Sequence, residues 1–124
     1  MSSMKFTEDH EWIRVEDDGT ATVGITDFAQ QQLGDLVHVD LPEAGTEIST
    51  GEAVLAIESV KAASDIKAPA SGTVTAVNDL LSDEPGKINE DPTGEGWIFK
   101  MSLAEAGATD DMMDEAAYAK FIED

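Results

Sequence analysis

The chain has 124 residues and a formal net charge of −20, because 27 Asp and Glu residues outnumber 7 Lys and Arg residues. This charge excludes nucleic-acid binding, which needs a basic surface for the phosphates, and it disfavours an anionic membrane surface. The chain contains no cysteine, so disulfides, thiol catalysis and thiolate metal sites are excluded as well.

Most of the chain up to Leu103 consists of short β-type runs separated by turn signals. Strands spaced so closely predict a small barrel or sandwich, and the length predicts one domain over residues 1–124 with its core within 6–103. The nearly continuous apolar run Glu52–Glu58 is expected to be buried on both faces, whereas His38 should lie on a polar face. The predicted strands are Trp12–Glu16, Thr20–Ile25, Leu36–Leu41, Glu52–Glu58, Thr73–Val77 and Trp97–Leu103.

Two helices are predicted beside these strands. Thr26 is a suitable N-cap for a short internal helix over Asp27–Leu33, and Gly34 is a suitable terminator. A C-terminal helix is expected over about 110–123, with two aspartates in its first turn, where the helix dipole favours acids. Its apolar face would be formed by Met113, Ala117 and Phe121, which recur at four-residue spacing.

A lysine stands between two predicted strands. Lys61 follows Glu58, Ser59 and Val60 and precedes Ala62, so that a strand runs in, a few residues turn, and another strand runs out. This order describes a hairpin with Lys61 at its tip. Position alone is also compatible with an ordinary solvated turn lysine.

The segment Glu58-Ser59-Val60-Lys61-Ala62 resembles the lipoylation signature of the H-protein family of the glycine cleavage system. Further blocks resemble the same family in order and spacing, and the resemblance spans about residues 6–122. The other matching blocks are His10–Arg14, Val23–Asp27, Leu33–Val37, Leu41–Gly45, Asn89–Pro92 and Gly94–Trp97.

The resemblance implies a mainly β barrel-sandwich hybrid of the lipoyl or biotinyl carrier type, with a short internal helix and a C-terminal helix. It implies lipoic acid amide-linked to Lys61 within a motif of Glu58, Ser59, Val60 and Ala62. The carrier itself would be non-catalytic. It would shuttle the aminomethyl group of glycine from glycine decarboxylase to aminomethyltransferase and then be reoxidised by dihydrolipoyl dehydrogenase. A lipoylating enzyme is a fourth implied partner.

The resemblance also implies a monomer in the bacterial cytoplasm, or in the mitochondrial matrix for a mature eukaryotic form. The sequence agrees with a soluble intracellular protein, because no apolar run approaches the roughly 18 residues of a membrane span. Residues 1–6 also lack the features of a signal or transit peptide.

Three acidic residues are candidates for contact with the aminomethyl-lipoyl group. Glu11 and Asp65 correspond to family positions near the docked arm, and Asp9 occupies a neighbouring position. The loaded group carries an amine that is cationic at neutral pH, so carboxylates could hold it. The alternative for each of the three is a solvated acid on an acidic surface.

Other interpretations stay open at this stage. A lipoyl relay would need the same modified lysine, and an unmodified acidic interaction module could share the fold. A biotin carrier is disfavoured, because such carriers usually place the lysine between two methionines.

Single residues outside the lysine hairpin are weaker candidates. Lys67 lies inside the outgoing strand and Lys87 in a loop after Pro85-Gly86, so neither should project from a hairpin tip. His10 has no second histidine at ligand spacing, which favours a solvated acidic turn over a metal site.

Overall fold

A computed structural model describes residues 3–16, 19–104, 109 and 112–123. Its strands form a six-stranded sheet, in the order β1-β2-β3-β9-β8-β5, and a three-stranded sheet, in the order β4-β6-β7. All the strand pairs are antiparallel. The strands are β1 Ser3–Phe6, β2 Glu11–Val15, β3 Thr20–Ile25, β4 Leu36–Asp40, β5 Glu47–Ile48, β6 Ala53–Ser59, β7 Ala63–Lys67, β8 Gly72–Val77 and β9 Phe99–Leu103.

The helices are short and connect or flank the sheets. They are α1 Asp27–Leu33, α2 Leu80–Asp83, α3 Lys87–Glu90 and α4 Glu115–Glu123. Within the described ranges, no helix is long and apolar enough to cross a membrane. The mainly β class with an internal helix and a C-terminal helix, expected from the sequence, is therefore confirmed, whereas β1, β5, α2 and α3 were not predicted.

One apolar core joins the two sheets. Ile13 and Val23 from the larger sheet and Ile57 from the smaller sheet are all fully buried in it. A second cluster combines Phe6 and Trp12 with Tyr118, which comes from α4. Removal of this much aliphatic surface from water is the main stabilising term of the fold.

The predicted boundaries of α1 are confirmed by its capping contacts. The Thr26 hydroxyl accepts a hydrogen bond from the Ala29 N–H at 3.1 Å, as an N-cap should. Gly34 ends the helix with a φ of 81° and a ψ of −162°, a conformation almost restricted to glycine.

The burial expected for β6 is wrong. Leu55 and Ile57 are buried, but Ala53 and Glu58 on the same strand are exposed. The strand contributes Leu55 and Ile57 to the shared core, with Val54 partly buried against it, and its remaining side chains are not fully covered, as is common in antiparallel sheets.

Alternation along β4 is interrupted by a bulge between Leu36 and His38. Leu36 and Val39 are buried as a result, although they are three residues apart. His38 is exposed, as predicted, but the bulge also leaves Val37 with 53% of its surface exposed.

The C-terminal helix begins at Glu115, later than predicted. Met113 cannot join it because its backbone pairs with Phe6, with N···O distances of 2.8 and 3.2 Å. Asp114 then caps the helix by accepting a hydrogen bond from the Ala117 N–H at 2.8 Å. The predicted apolar face is also wrong, since Ala117 is exposed and Tyr118 is the residue that packs inward. Asp110 and Asp111 lie outside the described residues.

Candidate functional site

Lys61 lies at the tip of the hairpin formed by β6 and β7, as the sequence predicts. Ser59 closes this tip, because its N–H donates to the Ala62 carbonyl at 2.8 Å. The Ser59 hydroxyl oxygen also accepts from the N–H groups of Ala62, at 3.1 Å, and Lys61, at 3.3 Å. Val60 and Lys61 are therefore the outermost residues of a turn that is closed by these hydrogen bonds, and both are exposed.

The tip rests on the turn between α1 and β4. The Val60 N–H donates to the carbonyl of Asp35 at 3.0 Å. The Lys61 methylene stem lies over Gly34, where a Cβ atom would be only 2.8 Å from the lysine Cε. The missing side chain of Gly34 thus provides the surface on which the lysine stem lies.

Asn89 holds this turn in place. Its amide nitrogen donates to the Gly34 carbonyl and to the Gln30 side chain, both at 2.9 Å. Its amide oxygen accepts from the Leu36 N–H at 2.9 Å. One side chain from α3 therefore satisfies the backbone groups on both sides of Asp35, next to Gly34. We call Gly34 the lysine seat. Asn89 was matched only as part of a family block, since nothing local in the sequence links it to Gly34.

A cleft of about 310 Å³ lies beside the hairpin, between α1, the start of β2 and β7. It contains all three predicted acids, which are far apart in the sequence, and Leu33, the residue before the lysine seat, also lines it. The lining residues are Asp9, His10, Glu11, Ile25, Phe28, Ala29, Gln32, Leu33, Ser64, Asp65 and Ile66.

Glu11 is the buried member of the acidic group, with 2% of its surface exposed. Its carboxylate accepts a hydrogen bond from the Lys67 N–H at 2.7 Å and one from the Thr7 hydroxyl at 3.3 Å. The bond from Lys67 connects β2 of one sheet to β7 of the other, whereas the bond from Thr7 is local. Burial raises the pKa of the Glu11 carboxyl to about 7, against the opposing effect of the Lys67 N–H, and the nearby charge of Asp9 raises it further.

Asp65 and Asp9 are arranged differently from Glu11. Both side chains are exposed. Within the described part of the chain, neither carboxylate has a hydrogen-bond or ion-pair partner. They remain available to a cationic group in the cleft, whereas Glu11 already accepts two protein hydrogen bonds.

An apolar surface flanks the lysine on the outside of the hairpin. Val60 is 67% exposed next to Lys61, and Val37 is 53% exposed on the neighbouring strand. Glu58 is also exposed, and its backbone pairs with His38 of β4. We call Val37, Val60 and Glu58 the tip surface.

The two competing lysines have other surroundings. Lys67 lies in the outgoing strand, as predicted, and is the last residue of β7; its backbone N–H donates to Glu11. Lys87 was expected in a loop but begins helix α3. Its amine lies 3.7 Å from the carboxylates of Glu90 and Glu95, which raise its pKa, chiefly through Glu90.

His10 is not the solvated turn residue that the sequence predicts. It is half-buried, its Nδ1 lies 2.7 Å from the Tyr118 hydroxyl, and its ring packs on Phe28 with centroids 4.6 Å apart. Sequence reasoning missed this contact because Tyr118 is 108 residues away.

Comparisons with known proteins cover nearly the whole chain. The family model described as Glycine cleavage H-protein matches residues 4–124. The chain is 52% identical over 122 residues to the glycine cleavage system H protein of Rhodospirillum rubrum, covering 98% of this chain and 97% of the relative. It is 54% identical over 121 residues to that of Thermotoga maritima, with 98% and 97% covered. A crystal structure of a glycine cleavage system H protein from Mycobacterium marinum matches with a TM-score of 0.89 at 39% identity, covering 98% of this chain and 97% of that one.

Proposed function

Because the chain belongs to the glycine cleavage H-protein family, we propose that it carries lipoic acid on Lys61 and acts as a non-catalytic shuttle of the glycine cleavage system. The observation that carries this proposal is the placement of Lys61 at an exposed hairpin tip within a chain that matches the family over residues 4–124. By contrast, Lys67 lies in strand β7 and Lys87 lies in helix α3, so neither is at the tip of a hairpin.

The residues around the lysine fit a lipoyl group. The lysine side chain is exposed, its stem is supported by Gly34, and the cleft begins at Leu33, one residue away. When bound, the lipoyl group would supply a disulfide that can accept the aminomethyl group at glycine decarboxylase, and the dithiol left after transfer at aminomethyltransferase would be reoxidised by dihydrolipoyl dehydrogenase. The chain has no cysteine that could attack such a disulfide by thiol exchange.

The acids of the cleft would hold the cationic amine of the loaded arm. Asp65 and Asp9 supply carboxylates that have no partner among the residues that the structure describes, and Glu11 supplies a buried one. A cation beside Glu11 favours the ionised carboxylate, so docking near pH 7 should release a proton from it. Packing of the arm against Phe28 and Leu33 would limit the access of water to the labile group.

The tip surface is the part of the molecule that the lipoylating enzyme must contact. That enzyme acts on the lysine amine itself, whereas the other partners meet the end of a long arm. Val37 and Val60 offer it an apolar contact, and Glu58 adds a negative charge at the rim. We propose that the surface of the lipoylating enzyme that contacts the tip surface is apolar with a basic edge.

The relatives named above are bacterial, and we propose that this chain works as a cytoplasmic monomer. Its acidic surface would steer partners with basic docking surfaces, so association rates with the three enzymes should fall with added salt.

The proposal is tested by the intact mass of the protein purified from its native host, followed by peptide mapping across residues 53–67. We expect one lipoyl group on Lys61. Unmodified protein from cells rich in lipoate would contradict the proposal and favour the interaction module. Glycine-dependent turnover with the purified partner enzymes then separates a glycine-cleavage carrier from a lipoyl relay, since only the carrier supports it.

A further inference from the structure

The C-terminal helix α4 is connected to the wall of the cleft through one hydroxyl group. The Tyr118 hydroxyl oxygen lies 2.8 Å from the Thr26 hydroxyl oxygen and 2.7 Å from His10 Nδ1. Thr26 in turn accepts from the Ala29 N–H at 3.1 Å and caps α1. Three successive hydrogen bonds therefore link α4 to the first turn of α1 and to His10.

This hydrogen-bond chain has a consistent direction when His10 Nδ1 carries no proton. The Ala29 N–H donates to Thr26, the Thr26 hydroxyl donates to Tyr118, and the Tyr118 hydroxyl donates to His10. The hydroxyls of Thr26 and Tyr118 then each accept one hydrogen bond and donate one, so both hydroxyl groups are satisfied. Such chains strengthen their members, because each donor is polarised by the bond that it accepts.

His10 also has a constrained backbone. Its φ is +68°, the only positive value outside glycine among the described residues. The conformation is held on both sides, because the His10 N–H donates to the Thr7 carbonyl at 3.1 Å and its carbonyl accepts from the Thr26 N–H at 3.0 Å. Unusual backbone angles persist only where the surroundings determine them strongly, which is frequent at binding sites.

The hydrogen-bond chain ends at residues that line the cleft. His10, Phe28 and Ala29 all face the cleft that also contains Asp9, Glu11 and Asp65. The His10 ring packs on Phe28, with centroids 4.6 Å apart, and on Tyr118, with centroids 5.7 Å apart. The position of one wall of the cleft therefore depends on a residue of α4 that does not line the cleft itself.

We propose that Tyr118 and His10 are positioning residues for the loaded arm, and that α4 supports the wall of the cleft in which the aminomethyl group is held. The hydroxyl of Tyr118 fixes the first turn of α1 and the His10 ring, and these hold Phe28 against the cleft. This inference rests on the proposed function, because it assumes that the aminomethyl group docks in this cleft.

The first test uses the protein without its lipoyl group. Tyr118→Phe removes only the hydroxyl and keeps the stacking on Phe6, whose ring centroid is 4.7 Å away. Amide hydrogen exchange at Ala29 should become about 3- to 10-fold faster, as expected for the loss of hydrogen bonds of ordinary strength. Phe121→Leu is the matched control, since Phe121 packs on the same rings, at 5.9 Å from His10, without a hydrogen bond. Equal exchange in the wild type and Tyr118→Phe, or an equal effect of both variants, would overturn the proposal.

The second test follows the loaded protein. Wild type, Tyr118→Phe and His10→Asn are lipoylated, loaded with the aminomethyl group and followed for release of ammonia over time. Asparagine tolerates a positive φ, so His10→Asn keeps the backbone while it removes the ring. Both variants should lipoylate normally and lose the group several-fold faster than the wild type. A wild type that never loads would contradict the proposed function, whereas a loaded wild type and variants with equal loss rates would contradict only the positioning role.

Discussion

The methylene stem of Lys61 lies across Gly34, at a place where any side chain on residue 34 would meet it. A Cβ atom there would be 2.8 Å from the lysine Cε, and the backbone of Gly34 has a φ of +81°. The glycine that ends α1 thus also provides the surface on which the Lys61 stem lies. Helix termination and contact with the lysine stem therefore fall on the same residue.

Gly34→Ala should therefore have two separable effects. The backbone conformation alone should cost about 1–3 kcal/mol in the free energy of unfolding, measured by urea denaturation. The new methyl group should also displace the lysine stem and slow lipoylation. Gly51→Ala is the control, because Gly51 has a φ of +84° but no neighbour within 4 Å of an added Cβ. Equal lipoylation rates for the two variants would show that the seat is irrelevant.

Asn89→Ala should destabilise the lysine seat by removing the side chain of α3 that holds the turn after Gly34. It leaves the Leu36 N–H and the Gly34 carbonyl without their partner, at a cost of about 2–3 kcal/mol. Asn78→Ala removes two comparable bonds, to the carbonyls of Glu95 and Trp97. We expect both variants to lose stability and only Asn89→Ala to lipoylate slowly, as followed by intact mass. A similar slowing in both would point to general loss of structure.

Glu11→Gln should change how stability depends on pH. The folded-state pKa of the carboxyl, about 7, lies above its ordinary value of 4.5. The folded protein therefore binds this proton more tightly, and the associated stability is fully present below pH 4.5 and is lost as the pH rises to about 7. The loss amounts to about 3 kcal/mol.

The test compares urea unfolding of the wild type and Glu11→Gln from pH 4.5 to 8. Glutamine keeps an oxygen for the Lys67 N–H, so the variant should gain stability relative to the wild type across this interval. Glu58→Gln removes the same charge from an exposed position and controls for net charge. Parallel curves for the wild type and Glu11→Gln would refute the shifted pKa.

Asp65→Asn should weaken retention of the aminomethyl group without affecting the fold. The residue is exposed and its carboxylate has no partner within the described ranges, so neutralising it removes attraction for the amine and little else. Loss of the group from loaded protein should become several-fold faster. Asp40→Asn, at the exposed end of β4, removes an equal charge outside the cleft and should leave the rate unchanged. If the two variants behave alike, the cleft is not the docking site.

Lys61→Arg should abolish carrier activity and leave stability within about 0.5 kcal/mol of the wild type, as for ordinary surface substitutions. The side chain is exposed at the tip, and arginine keeps the charge but cannot accept the amide-linked group. Intact mass should show no lipoyl addition while the thermal unfolding curve is retained. A folded variant that still supports glycine cleavage would refute the assignment of the lysine.

The sequence by itself determined the local features of this protein. The cap at Thr26, the terminator at Gly34 and the hairpin tip at Lys61 all follow from patterns within a few residues, because capping, turn chemistry and alternation act over that range. The same local reasoning failed for the start of α4, where pairing of Met113 with Phe6 overrides helix propensity.

Only the tertiary structure decided how these features meet. Glu11 reaches the Lys67 N–H across 56 positions, Asn89 reaches the Gly34 carbonyl across 55, and Tyr118 reaches His10 across 108. Each contact links segments that the packing of the two sheets brings together. Sequence periodicity reports which face of a strand is apolar, but it carries no information on which distant polar group will lie opposite a given side chain. The lysine could therefore be located from the sequence, whereas its seat and the wall of its cleft could not.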